Sequence, residues 1–587
     1  MCGIAGVLSP IYKPTKNISE LISGRYVIIF NGEIYNHLNI RQQLEDEYSG
    51  ISWKGYSDTE TLLECFYFWG IEKTLESIVG MFAIALWDTY ERTLILARDR
   101  MGEKPLYWGW CNDTLFFGSE LKALKQHPAF NAEIDRNALS LYFHHNYIPA
   151  PYSIYKDINK LQAGHYAIIN QNRKSKDVVI KSYWNFNEIV EYGISNPYQG
   201  SDNEAIDHLD SLLRDSITSQ MLSDVPIGAF LSGGVDSSII VSMMKKYSHN
   251  PVKTFSIGFY EKKYNEAIYA REIANYLDTD HTELYVNAQD ALSIIPDLPK
   301  IYCEPFADSS QIPTYLASQL AKQHVTVALS GDAGDELFGG YTPYQFAPDI
   351  WNKISKLPIF LRKLIFFILS NIPLSDKFHK LLRILPSNSQ EQLYSILMSH
   401  WQFSENLVIG SSILPTFITN RNNWPVTDSF EHWMMAIDTK QYMIDNILVK
   451  VDRAAMANSL ETRMPLLDPN IIKFSWQLPL SMKIRKNKGK WVLREVLYRH
   501  VPKHLIERPK KGFSIPIGKW LKGPLKEWAD TLLDSKRIDN EGFLNSAIIN
   551  NAWRQHIRGV KDHSFRLWSV LMFQAWVEKN KKIYAKE

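Results

Sequence analysis

Two stretches constrain the fold of this chain more than any bulk property. "VPIGAFLSGGVDSS" (225–238) reads as a buried strand ending at Leu231, a Ser232-Gly233-Gly234 turn, and a helix opened by Asp236, Ser237 and Ser238. "VTVALSGDAGDELFGGY" (325–341) repeats the logic, with Ser330-Gly331 after a strand, then acids, then Gly339-Gly340. Glycines let backbone N–H groups approach an anion closely, and a helix N-terminus adds free donors and partial positive charge. The first loop lacks the GxxxxGK(S/T) spacing of a Walker A site. With helical segments between the apolar runs "VKTFSIGF" and "VTVALSGD", the texture is βαβ and predicts a doubly wound α/β domain. Glycine for turn geometry alone is the plainer reading of one such loop, and helix capping is the plainer reading of each aspartate. Two such loops in one domain favour a phosphate site, where Asp236 and Asp335 could share a Mg²⁺.

Residues 1 to about 190 have another texture. "RYVIIFNGEIYN", "MFAIALWDTYERTLILARDR" and "GHYAIIN" read as antiparallel strands, with a helix around "SDTETLLECFYFWG". The polar segment 188–204 reads as a linker, which divides the chain into domains of 1–190 and 205–587. A chain of 587 residues needs more than one core. From about 345 onward the pattern is mostly helical. "LIFFIL" (364–369) is far shorter than the roughly 20 residues a membrane helix requires, and reads as one face of a buried helix, with a membrane-surface or partner contact as the lesser alternative.

Net charge is only +2, which gives no basic footprint for nucleic acid. The four cysteines, Cys2, Cys65, Cys111 and Cys303, show no CxxC pair and no zinc spacing. That fits a reducing compartment. No secretory signal is visible, so a cytoplasmic protein with no membrane partner is expected.

The chain resembles the glutamine-dependent asparagine synthetases nearly end to end. The resemblance is carried by "MCGIAGV", "FNGEIYN", "SDTETLLE", "GMFAIALWD", "LARDRMGEKPLYW", "FGSELKAL", "VPIGAFLSGGVDSS", "SGDAGDELFGGY", "VDRAAMANSLETRMPLLD" and "KWVLRE", in that order. It implies an N-terminal αββα sandwich of the N-terminal-nucleophile type ahead of an α/β ATP pyrophosphatase domain with helical additions. It also implies ammonia released from glutamine, passed inside the protein, and used on β-aspartyl-AMP. Removal of Met1 would leave Cys2 with a free α-amine of pKa about 7.7–8.0 as its local base; a buried, inert cysteine is the plainer alternative.

By the same resemblance Asn31 and the Gly32 N–H are oxyanion donors, and Glu33 and Asp58 contact the amino-acid end of glutamine. Leu231, Ser232, Gly233, Gly234, Asp236, Ser237, Ile257, Ser330 and Gly331 would hold ATP, with Mg²⁺ on Asp236 and Asp335. Asp332 takes the acidic position linked to forming the acyl-adenylate, and Lys490 neutralises charge on the intermediate. Glu461 and Arg463 read equally well as the site floor or as a structural ion pair. Small-molecule substrates are implied (glutamine or ammonia, aspartate, ATP), and so is a homodimer.

The chain departs from the family in one large way. Cys2 and Asn31 are 29 positions apart, whereas the family's gap is several dozen residues longer and holds an HRGPD and an RLSI stretch. Neither occurs here, so the first domain is internally shortened between about 10 and 25. The RLSI arginine grips the glutamine carboxylate in the family, and no residue matches it; Arg25 lies in the wrong motif. Weaker glutamine binding is therefore expected, with unpaired strand edges left behind; an internal deletion, ammonia as the nitrogen source and a remodelled donor site are the three readings the sequence leaves open. Ala333 replaces a usual glycine, a mild change, and Asn265 precedes Glu266 where an acid is common. "RPKKGFSIPIGKWL" (508–521) resembles a branch linked to surface polysaccharides, so a sugar uronic acid is the alternative acceptor.

Overall fold

The computed structural model describes residues 3–8, 24–171, 177–261, 265–369, 376–508 and 515–584. Nine strands build the first domain: β1 (Ala5–Leu8), β2 (Tyr26–Ile34), β3 (Gly80–Asp88), β4 (Thr93–Arg98), β5 (Tyr107–Cys111), β6 (Thr114–Gly118), β7 (Ile158–Lys160), β8 (His165–Asn170) and β9 (Val178–Ser182). They form two antiparallel sheets, ordered β1-β6-β5-β7 and β2-β3-β4-β8-β9. Strand β3 shows why the sheets stack. Its side chains alternate between faces. Phe82, Ile84 and Leu86 pack under the helices His37–Glu47 and Asp58–Phe68. Ala83 and Ala85 turn to the second sheet, where Leu115, Phe117 and Ile4 fill the space.

The outer face of the four-stranded sheet is covered by the helix Arg136–His145 and the C-terminal helix Ser564–Tyr584. Tyr142 of the first donates to the Ser569 carbonyl of the second at 2.7 Å. The αββα layering expected from the sequence is therefore present, with its fourth layer shared with the second domain. Among the described residues β1 and β2 are edge strands, and Val7 and Ile29 on them are each 41% exposed. Most of the stretch that the sequence reads as shortened, about 10–25, falls on residues 9–23, outside the described residues.

The second domain begins with the helix Asp202–Gln220, started by a capping box of Ser201 and Glu204. A five-stranded parallel sheet follows, made of β10 (Ile227–Phe230), β11 (Lys253–Phe259), β12 (Asp280–Val286), β13 (Val327–Leu329) and β14 (Glu461–Arg463). Its order is β12-β11-β10-β13-β14. The chain reverses direction across the sheet between β10 and β13, and in such sheets the crevice beyond the carboxyl ends at that point receives the ligand. Both glycine loops leave the sheet there.

Three expectations need correction. The segment 188–204 is not an open linker: the helix Phe186–Ser195 occupies much of it. A Cβ on Gly193 would stand 2.6 Å from the Trp476 carbonyl carbon, so the helix is seated on the second domain. Strand β14 was not foreseen, because "ETR" has no apolar run and is buried only through its pairing with β13. The helix Ile359–Leu369 does not bury its apolar face. Phe360, Leu364, Phe367 and Ile368 are exposed, and Arg362 is its buried residue. Among the described residues no helix is long and apolar enough to cross a membrane.

Candidate active site

The two loops at the switch point touch. A Cβ on Gly331 would lie 2.7 Å from the Ser237 nitrogen, and one on Gly334 would lie 2.3 Å from Asp236 Oδ1. Glycine at both positions lets the second loop close on the first. Leu231 N donates to the Phe255 carbonyl at 2.9 Å, which carries β10 into its turn. Ser237 Oγ accepts the Ser232 amide at 3.1 Å and lies 3.0 Å from Ser232 Oγ; Gly234 N donates to Ser232 Oγ at 3.3 Å. Gly233 has φ +71°, a conformation that favours glycine. Ile257 is buried on the neighbouring strand β11.

In the second loop Ser330 N donates to the Arg463 carbonyl at 2.9 Å, and Ser330 Oγ donates to Asp332 Oδ2 at 2.6 Å. Ala333 has φ +78°, in the left-handed region. The replacement of glycine there is therefore a strained position rather than a mild change. Asn265 Oδ1 accepts the Ala267 amide at 3.1 Å, so its side chain serves the start of the helix Ala267–Leu277.

Lys490 joins the loops. Its Nζ donates to Asp236 and lies 2.5 Å from Asp335 Oδ1. The lysine is only 5% exposed. Burial alone would lower its pKa, but the charges of Asp236 and Asp335 outweigh burial and hold it above the ordinary value. Its amide donates to the Phe338 carbonyl at 2.9 Å, which fixes it beside Gly339-Gly340. A Cβ on Gly340 would meet Asp335 Oδ1 at 2.0 Å and Lys490 Cε at 2.1 Å, so this glycine makes room for the pair. Beside them Tyr341 donates to Glu336 at 2.6 Å, and burial, with the Asp335 charge, pushes Glu336 up to about 8.

Asp236 and Asp335 fit a Mg²⁺ site by donor chemistry, since Mg²⁺ is held by one or two carboxylates plus substrate phosphates and waters. Among the described residues no group of three or more His, Cys, Asp or Glu is placed to hold a metal.

At the other site Cys2 lies outside the described residues. Its neighbours do not: Ile4 N donates to Ser119 Oγ at 3.1 Å, and Asn31 Nδ2 donates to the same oxygen at 3.4 Å. Ser119 thus brings the start of the chain beside Asn31. A Cβ on Gly32 would stand 1.9 Å from the Met81 carbonyl oxygen, so only glycine lets β2 approach β3 there. Asp58 Oδ2 accepts the Ile34 amide at 3.1 Å, and burial raises its pKa. Glu33 Oε2 lies 3.6 Å from Arg463 Nη2. Arg25 does not replace the missing arginine. It pairs with Asp88 at 2.8 Å, about 20 Å along β2 from Asn31 at about 3.3 Å per residue.

Sequence reasoning missed three supports. Arg508 donates to the Gly233 carbonyl and stacks on Tyr269 at 3.9 Å, bracing the phosphate loop from "RPKKGF". Arg453, on the helix Val449–Ala457, donates to the Ser119 carbonyl at 2.6 Å and to Glu120 at 3.2 Å. Asp452 beside it pairs with the buried Lys104 at 3.3 Å. The signal for the last two was present as adjacent charges inside the otherwise apolar run "VDRAAMA".

Residues 208–578 match the family model described as asparagine synthase, and residues 21–184 match the model of a glutamine amidotransferase domain. The chain is 31% identical over 566 residues to the glutamine-hydrolyzing asparagine synthetase 1 of Bacillus subtilis, covering 94% of this chain and 85% of that relative. It is 28% identical over 547 residues to the glutamine-hydrolyzing asparagine synthetase 3 of the same organism, covering 88% and 81%. The chain belongs to the asparagine synthase family and carries a glutamine amidotransferase domain ahead of its synthase domain.

Proposed function

We propose that the protein is a glutamine-hydrolyzing asparagine synthetase. It joins the side-chain carboxylate of aspartate to AMP at the expense of ATP, then converts the acyl-adenylate to asparagine. The observation that carries this reading is Lys490 held between Asp236 and Asp335 where the two glycine loops meet at the switch point.

The aspartate oxygen attacks the α-phosphorus and the bond to pyrophosphate breaks. The loop Ser232–Ser237 would carry the phosphates, and the lysine ammonium balances the charge that builds on them. Asp236 and Asp335 would hold the Mg²⁺, which supplies further neutralisation of the phosphates. Ammonia then adds to the acyl carbon and AMP leaves.

In the first domain the Cys2 thiolate adds to the glutamine amide carbon, with its α-amine as base. Asn31 Nδ2 and the Gly32 N–H steady the oxyanion, the nitrogen leaves as ammonia, and water releases glutamate. Glu33 and Asp58 receive the substrate's ammonium. The ammonia crosses the boundary that Arg453, Lys104, Asp452 and Arg463 hold together.

The test is an assay of the purified chain with ATP, Mg²⁺ and aspartate, comparing glutamine with ammonium. Asparagine and pyrophosphate are expected from both donors, with glutamine the weaker one because no residue matches the arginine that grips its carboxylate. Asparagine from ammonium alone would place a defect in the shortened domain. Pyrophosphate from neither would refute aspartate as the acceptor.

A further inference from the structure

A cavity of about 610 Å³ lies apart from the phosphate loops, none of whose residues lines it. It is bounded by the helices Thr342–Ile354 and Asp376–Ile384, the stretch 396–400, the helical segment Asp438–Leu448, and residues 561–566. Its volume falls within the roughly 300–1,000 Å³ of ordinary ligand pockets. One wall is apolar, built from Ile384, Ile396, Leu397 and Met398.

Arg383 and Arg566 bring two guanidiniums to the same space. Arg383 donates to Ser399 Oγ at 3.2 Å and to Gln402 at 3.4 Å. Arg566 donates through Nε to the His400 carbonyl at 2.9 Å. Among the described residues neither meets a carboxylate. The two acids on the wall are engaged elsewhere. Asp438 accepts from Tyr344 at 2.6 Å and from Tyr394, and Asp562 lies 3.4 Å from His556 and accepts the Ser564 amide at 2.9 Å.

Burial, with the charge of Arg383 beside it, pulls Arg566 down to about 10. The histidines on the wall do not add charge near neutrality: burial pushes His145 well down and His400 down to about 4. Two half-buried guanidiniums that meet no carboxylate among the described residues are unfavourably placed side by side, and a planar fork is built for bidentate pairing with carboxylate or phosphate.

We propose that this cavity is a second ligand site, separate from the ATP site, for an organic anion with an apolar body. A carboxylate or phosphate monoester head would sit on Arg383 and Arg566, and the body would lie along Ile396, Leu397 and Met398.

The experiment is titration calorimetry of the full chain with decanoate, decyl phosphate and decanol. At least one of the two anions binds tenfold or more tighter than decanol, and the tighter of the two identifies the head group. The Arg383→Gln/Arg566→Gln double variant weakens the anion by at least tenfold and leaves decanol unchanged. Saturating ATP does not displace the anion. Three results would each overturn the proposal: equal binding of the anions and decanol to the unmodified chain, unchanged anion affinity in a folded double variant, or displacement by ATP.

Discussion

The Arg463 guanidinium stands 3.6 Å from the Glu33 carboxylate, so the last strand of the synthase sheet reaches the strand that carries Asn31 and Gly32. The same side chain donates to Glu461 at 2.7 Å and to the carbonyls of Gln220 and Leu222 at 2.9 and 2.8 Å. It also lies 5.6 Å from the centre of the Tyr35 ring. The sequence left the pair Glu461 and Arg463 open between a site floor and a structural ion pair; Arg463 is paired with Glu461 while its own carbonyl holds Ser330. Removing one partner of a buried pair leaves the other charge uncompensated, at about 3–5 kcal/mol. Arg463→Met should destabilise by that amount in denaturant titration. Glu461→Leu/Arg463→Met should cost less than the single change, and a double variant at least as unstable as the single would refute the pairing argument.

With Glu33 receiving the substrate's ammonium as proposed, glutamine use should depend on pH. Burial pushes its pKa up to about 7; Arg463 offsets this in part, and Asp58 adds to it. A carboxylate that receives the substrate's ammonium must be ionised. Below pH 7 the KM for glutamine should therefore rise by about tenfold per pH unit, with kcat changing less. Glu33→Gln should raise KM at pH 8 and flatten the profile. A KM that stays constant from pH 8 to pH 5.5 in the unmodified enzyme would remove Glu33 from the substrate site.

Lys490→Met should separate the two half-reactions. Loss of one preorganised charge-stabilising group costs about 10²–10³ in rate, so pyrophosphate release with ATP, aspartate and ammonium should fall by that factor. Glutamate release from glutamine should stay within about twofold. Equal loss in both assays would mean that Lys490 is a structural residue shared by the domains.

The strand, glycine turn and helix start of both loops were legible because short-range rules set them: glycines permit close approach, and a helix start exposes amides. The strand at Gly80–Asp88 was legible from its β-rich run, and the structure shows its alternate residues facing two cores. What was not legible depended on distant partners. Strand β14 exists only because β13 offers an edge to Glu461–Arg463, and Phe186–Ser195 is fixed by its seat on Trp476. The exposed helix Ile359–Leu369 shows the opposite failure, since an apolar run alone does not say whether anything covers it. Arg25 was set aside for lying in the wrong motif, and its pairing with Asp88 shows where its guanidinium is engaged.

Ala333 should be a site of easy stabilisation. Its φ of +78° places a buried Cβ residue in the left-handed region, which costs an L-residue roughly 1–2 kcal/mol. Glycine removes that strain and returns part of the gain through the freer unfolded chain. Ala333→Gly should therefore stabilise the synthase domain by about 1 kcal/mol in denaturant titration, with pyrophosphate release retained. A destabilised Ala333→Gly would show that the methyl group's packing outweighs the strain.

Lys483 should make stability rise with pH above neutrality. It is fully buried, its Nζ has no hydrogen-bond partner among the described residues, and it lies 4.4 Å from the centre of the Trp476 ring. Burial pushes its pKa down to about 7, with Asp428 offsetting part of the effect. The unfolded lysine titrates near 10.4, so between about pH 7 and 10.4 the unfolded chain binds more protons than the folded one. In that window stability rises with pH. The penalty is complete below the folded pKa and gone near the unfolded one. Lys483→Met keeps the length and removes the charge, so it should stabilise the protein by on the order of 2 kcal/mol at pH 6–7 after the loss of the cation–π contact. That advantage should shrink toward pH 10. Thermal unfolding of both proteins from pH 6 to pH 10 measures the gap. A gap that stays constant across the range would show that Lys483 keeps its ordinary pKa in the folded chain.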